Sequence, residues 1–166
     1  MTAFAPLDCP LVTDAPADYQ RVMGARTEHA FLPIESTFMG FLAPTFHDEG
    51  EGTLSCTVEV RDELKQPMGI LHGGIYCAIA ETLASMGAAR EVGLTETGDG
   101  PPPTVVMGQH NNTTFLRPVT GGHVRGVARC RHKGRTTQVW QIEMFDADER
   151  LCAVAQVTMA VRPART

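Results

Sequence analysis

No two cysteines in this chain stand at CxxC spacing. The five thiols, Cys9, Cys56, Cys77, Cys130 and Cys152, are scattered and odd in number. That argues against a disulfide framework and against a cysteine zinc site. It points to a reducing, cytoplasmic setting in which most of them serve as small core residues. Long apolar runs are missing too, since the longest is broken well short of the roughly 18 residues that a membrane span needs. The opening residues, MTAFAPLDCPLVTDAPADYQ, hold no basic stretch followed by an apolar one and do not read as a secretory leader. There is no basic run, and the formal net charge of −5 is mild, so nucleic acid is not expected as a partner. HExxH, a close His/Asp group and G-x-S-x-G are all absent, so neither a metal site nor a serine hydrolase is expected.

What is present fits one globular domain. The chain has 166 residues, 43% of them hydrophobic and 20% charged, enough for a proper core. Residues 1–33 read as an N-terminal arm followed by a short amphipathic helix over 17–32, which Pro33 ends. The main domain then covers 34–166. Residues 34–46 read as extended, with breaks at Gly40 and Pro44. Over 53–61 the pattern TLSCTVEVR alternates cleanly, as a half-buried strand does. Four more extended runs are expected at 104–115, 123–132, 138–146 and 151–162. The separators PVTGG, KGR and ADE are short enough for antiparallel neighbours. In the second of these runs Val124, Gly126, Ala128, Cys130 and His132 alternate with Arg125, Val127, Arg129 and Arg131, one set for the core and one for solvent or a partner.

Between the strands lies GILHGGIYCAIAETLASM, residues 69–86. Ile75, Ile79, Leu83 and Met86 recur at helical spacing, and glycines and alanines fill the gaps, so this helix can lie close on a sheet. An α+β, two-layer plan follows. His72-Gly73-Gly74 falls where the helix should start. There the first amides lack intrahelical partners and the macrodipole is positive. A glycine lets another molecule approach such an amide closely, so a carbonyl set against the Gly73 N–H would be polarised, as in an oxyanion hole. The plainer alternative is a glycine turn into a tightly packed helix. Glu81 is either a solvated flank residue or, if it faces a cleft, a nucleophile or general base. Eight residues separate it from Gly73, about 12 Å along one helix axis. If both serve one carbonyl, the second must come from another chain, as an antiparallel pair of helices across a two-fold axis would allow.

The ordered set His72 to Ala78, Glu81, Thr113-Thr114-Phe115-Leu116-Arg117-Pro118-Val119, Gly122-His123-Val124-Arg125, Leu151-Cys152-Ala153-Val154 and Ala160-Val161-Arg162-Pro163 resembles the hotdog-fold acyl-CoA thioesterases. It is closest to the 4-hydroxybenzoyl-CoA type with its glutamate on the central helix, within the wider phenylacetate-degradation thioesterase group. The resemblance covers residues 35–166. It implies a long central helix wrapped by a curved antiparallel sheet. It also implies hydrolysis of a CoA thioester, with CoA as part of the substrate and no separate cofactor. Glu81 would attack the carbonyl or activate water, the Gly73 N–H would polarise it, and His72 would shape the helix start. Gln66 matches a polar residue near the thioester, and Ser85 stands where the family places a threonine hydroxyl. Arg117, Thr136 and Arg165 match positions that hold CoA phosphates, and Arg135 could add a further contact. A homo-oligomer with shared sites is implied, a dimer and beyond that a tetramer, and the acyl group expected is aromatic.

Taken singly, these residues have blander readings. Gln66 could be an ordinary loop residue, the arginines solvated charges, and Ser85 a hydroxyl bonded to a carbonyl one turn back. His110, Asn111 and Asn112 could edge the sheet or line the acyl pocket. A non-catalytic acyl-CoA-binding protein or a hotdog enoyl-CoA hydratase remains the alternative function.

Overall fold

The computed structural model describes residues 33–49, 53–93 and 104–163. The helix expected over 17–32, Cys9 and Arg165 lie outside the described residues. The expectation of an extended segment over 34–46 is corrected. A 3-10 turn, Ile34–Ser36, leads into a short helix α1, Phe38–Leu42, and only then into strand β1, Thr45–Asp48. Local hydrogen bonds bend the chain there: the hydroxyls of Ser36 and Thr37 donate to the carbonyls of Pro33 and Ile34. Ala43, in the left-handed region at φ 51°, ends α1 before Pro44, as helix termini often do.

Strand β2, Thr53–Glu59, is followed by the 19-residue helix α2, Gly73–Glu91, and by β3 (Thr104–Phe115), β4 (His123–Lys133), β5 (Thr137–Asp146) and β6 (Leu151–Pro163). All pair antiparallel in one sheet ordered β1-β2-β4-β5-β6-β3. The hairpins β4–β5 and β5–β6 are as the short separators predict. The first separator is not a hairpin: β3 pairs with β6, at the far side of the sheet from β4. Residues 116–122 instead cross the end of the sheet. On the way the amides of Leu116 and Arg117 donate to Cys152 O, Leu71 N donates to Val119 O and Val60 N donates to Gly122 O. Seven residues reach about 23 Å when extended, enough to cover the three spacings of about 4.8 Å each that lead from β3 past β6 and β5 to β4.

Helix α2 covers one face of the sheet. Ile75, Ile79, Leu83, Ala84 and Ala88 are buried against Val124, Ala128, Ile142, Met144 and Val157. Small residues set how close the layers come. A Cβ on Gly87 would lie 2.4 Å from the Trp140 ring, and one on Gly126 would lie 2.8 Å from both Ile79 and Leu83. On the opposite face Arg125 pairs with Glu149 and Arg129 with Glu143, while Arg131 bonds Gln141. The alternation in β4 holds as far as Cys130. A register shift then follows, so His132 is exposed rather than core-facing, and Lys133 turns towards α2 and pairs with Glu91.

Candidate active site

His72 starts α2 by capping it with its own ring. Its backbone is extended (φ −67°, ψ 134°), and its Nδ1 accepts the Gly74 amide at 2.9 Å. That bond requires a lone pair on Nδ1, which puts the proton of the neutral ring on Nε2. The Ile75 amide donates to the His72 carbonyl. The Gly73 N–H is left without a partner among the described residues, at the positive end of the helix. The chain before it is fixed as well: Gln66 closes a turn, its N bonded to Ile70 O and its O accepting from Gly69 N, and His72 N donates to Leu64 O.

Aromatic side chains flank this amide. The Phe115 ring lies 2.9 Å from where a Gly73 Cβ would sit, and it tilts against the Tyr76 ring at 5.7 Å. Phe115 is 54% exposed, whereas Tyr76 is buried. Burial, and then the neighbouring Cys152 and Asp146, push the Tyr76 hydroxyl far above its ordinary value of 10, so it stays protonated and offers no base.

Glu81 lies two turns further on, exposed on the flank of α2 that meets β3. Ser85, one turn later, donates its hydroxyl to Glu81 Oε1 at 3.0 Å rather than to a carbonyl one turn back. A Cβ on Gly108 would stand 3.0 Å from the same Oε1, so the bare backbone of β3 makes room for the carboxylate. α2 runs unbroken from Gly73 to Glu91. Amide and carboxylate of one chain therefore stay about 12 Å apart along the axis.

The residues expected to hold CoA are split. Arg117 is exposed just beyond β3, near the start of α2, while Arg135 and Thr136 are exposed in the β4–β5 turn, near its end. In β6, Ala153 pairs with Phe115 and Ala160 with Thr137, and those two ends are about 23 Å apart. One chain does not bring the three together. Of the trio left open between sheet edge and pocket, Asn111 faces α2 and donates to Cys77 O. Among the described residues, no three His, Cys, Asp or Glu side chains are grouped as a metal ion would need, and no helix is long and apolar enough to cross a membrane.

Residues 68–153 match the family described as the Thioesterase superfamily. The chain belongs to this superfamily. The superfamily member described here is 37% identical over 127 residues to the 1,4-dihydroxy-2-naphthoyl-CoA hydrolase of Escherichia coli, covering 76% of this chain and 88% of that one. It is 39% identical over 134 residues to a Pasteurella multocida protein named as a candidate esterase, covering 81% and 91%. Among solved structures, a thioesterase from Haemophilus influenzae superposes with a TM-score of 0.69 at 30% identity, over 78% of this chain and 85% of that one. The fold is the hotdog fold, and the enzyme is a thioester hydrolase of the acyl-CoA thioesterase type. The matched span of this thioesterase contains His72, Gly73, Glu81, Ser85, Arg117, Arg135 and Thr136. Sequence reasoning missed Phe115 and Gly108 as neighbours of Gly73 and Glu81. A glycine inside a strand pattern was the available signal for Gly108.

Proposed function

We propose that this thioesterase hydrolyses an aromatic acyl-CoA to the free acid and CoA, at sites shared between two copies of the chain. The observation that carries the proposal is the Gly73 amide, which stays open because His72 caps its neighbour instead. A thioester oxygen placed there would be polarised as its negative charge develops. Glu81 is too far along the same helix to reach that carbon, so the partner's copy would supply it. The twelve-residue strand β3 favours such pairing: it ends the sheet order and is exposed along most of its length, with Met107, Phe115 and, just past its end, Leu116 open to solvent. A long bare edge of this kind is a template for another strand. Antiparallel pairing about a two-fold axis would also bring Arg117 of one copy towards the Arg135–Thr136 turn of the other.

In this reading a Glu81 oxygen attacks the thioester carbon, the C–S bond breaks, and CoA leaves as the thiolate. Water then opens the mixed anhydride at the glutamyl carbon, which releases the acid and restores the carboxylate. The Ser85 hydroxyl steadies one carboxylate oxygen. In a single turnover in ¹⁸O water, label is expected in Glu81, and label confined to the released acid would show that Glu81 instead activates water. The aromatic preference is supported by the Phe115–Tyr76 ring pair beside Gly73 and by the naphthoyl-CoA relative. It is tested on a panel of aromatic and aliphatic acyl-CoAs, followed by thioester absorbance because free thiols would confuse a thiol reagent. Aromatic esters should lead in kcat/KM by about tenfold or more, and turnover of aliphatic esters alone would overturn the assignment. The free, unpaired Cys56, Cys77, Cys130 and Cys152 support a reducing, cytoplasmic setting.

A further inference from the structure

Strand β3 carries one residue more than its partner can match. Its register against β6 slips between Gly108 and His110, so Gln109 stands out of the ladder as a bulge. Before the bulge, even-numbered residues face α2: Val106 packs on the core and Gly108 lies beside Glu81. After it, odd-numbered residues do: Asn111 reaches Cys77, and Phe115 covers Gly73. Gly108 and Asn111 thus face one helix although they are three residues apart, a spacing that an unbroken strand sends to opposite faces.

Asn111 uses both ends of its amide. Nδ2 donates to Cys77 O at 2.9 Å, and Oδ1 accepts the Thr113 hydroxyl at 2.7 Å. The Thr113 bond sets which end of the amide points at the helix. Cys77 precedes Glu81 by one helical turn, so its carbonyl is also the acceptor for the Glu81 amide. The edge strand therefore grips the turn of α2 that carries the carboxylate.

We propose that Asn111, oriented by Thr113, is a positioning residue for thioester hydrolysis. It holds the Glu81 turn at a fixed distance and angle from β3, so that the carboxylate is aligned before substrate arrives. Asn111 itself touches no reacting atom, because both ends of its amide are already bonded within the chain. The proposal rests on the reading of Glu81 as the catalyst. A carboxylate misplaced by about 1 Å can lose about a hundredfold in rate, so a partial drift on loss of one tether should cost about tenfold.

The test measures kcat and KM of Asn111→Leu and Thr113→Val, each alone and in the Glu81→Ala background. Asn111→Leu should lower kcat about tenfold with KM within about twofold. Thr113→Val should lower kcat less, also at constant KM, and Thr113→Ser should restore it. In the Glu81→Ala background Asn111→Leu should change the residual rate by less than about twofold, because a group acting through Glu81 has nothing left to align. Wild-type kcat in both single variants, with Glu81→Ala inactive, would overturn the positioning role and leave the Glu81 reading standing. Full activity in Glu81→Ala would overturn that reading and the positioning role with it. If Asn111→Leu does not fold, Thr113→Val decides: a kcat loss at constant KM supports the proposal, and an unchanged kcat sinks it.

Discussion

Gly73→Pro is expected to slow thioester hydrolysis by about 10²- to 10³-fold while α2 stays folded. Gly73 is the first helical residue after the His72 cap. A proline there loses only an N–H that no helix carbonyl would take, and its fixed φ suits the first turn. His72 already has the extended backbone, φ −67° and ψ 134°, that the residue before a proline prefers. The new ring would meet the far end of the Phe115 side chain, which is open to solvent and can swing aside. Circular dichroism and a urea midpoint should match the wild type, while kcat/KM collapses. Gly73→Ala is the control, since it adds the same Cβ against Phe115 but keeps the amide. If alanine and proline slow the enzyme equally, crowding is the cause and the amide has no catalytic part.

Glu81→Ala should lose at least about a hundredfold in kcat with little change in stability. The side chain is exposed, and alanine is the best helix former. The loss alone does not say which copy's carboxylate serves which amide; mixing does. A hybrid of one Glu81→Ala subunit with one Gly73→Pro subunit would hold one site with both lesions and one with neither. Random exchange of two inactive proteins should then restore about a quarter of wild-type activity. Tagged subunits would verify the exchange. Hybrids that form and stay inactive would refute a site shared between chains.

Local pattern made much of this architecture readable. The alternation in 53–61 and in the last three extended runs, and the helical spacing of Ile75, Ile79, Leu83 and Met86, match the observed elements because burial on one face dictates both. Strand partners were less legible. Nothing in PVTGG distinguishes a tight hairpin from a crossing over the sheet end, since the difference lies in bonds to Leu71, Cys152 and Val60, far away in the chain. The helix start and Glu81 stood out because they are close in sequence and odd in an apolar helix. Asn111 stayed undecided between edge and pocket, because a bulge is invisible to a period-two reading. The Arg117 and Arg135 positions are grouped as CoA contacts through the family resemblance alone, which carries no information on their separation, and a single chain holds them at opposite ends of the sheet.

The bulge at Gln109 also bears on how this chain tolerates change. A substitution in β3 alters one side chain. Loss of Gln109 itself would remove the extra residue and leave a regular ladder, with Gly108 still opposite Met159 and Asn111 still opposite Val157, so that Asn111, Thr113 and Phe115 would keep facing α2. Loss of a residue between Asn111 and Phe115 is different: the alternation between them would slip by one, and either the tether on the Glu81 turn or the ring over Gly73 would turn away from α2. In β3, therefore, the spacing from Asn111 to Phe115 is the sensitive inherited quantity, and a deletion there should be far less tolerated than the loss of Gln109, the one residue that the ladder leaves out.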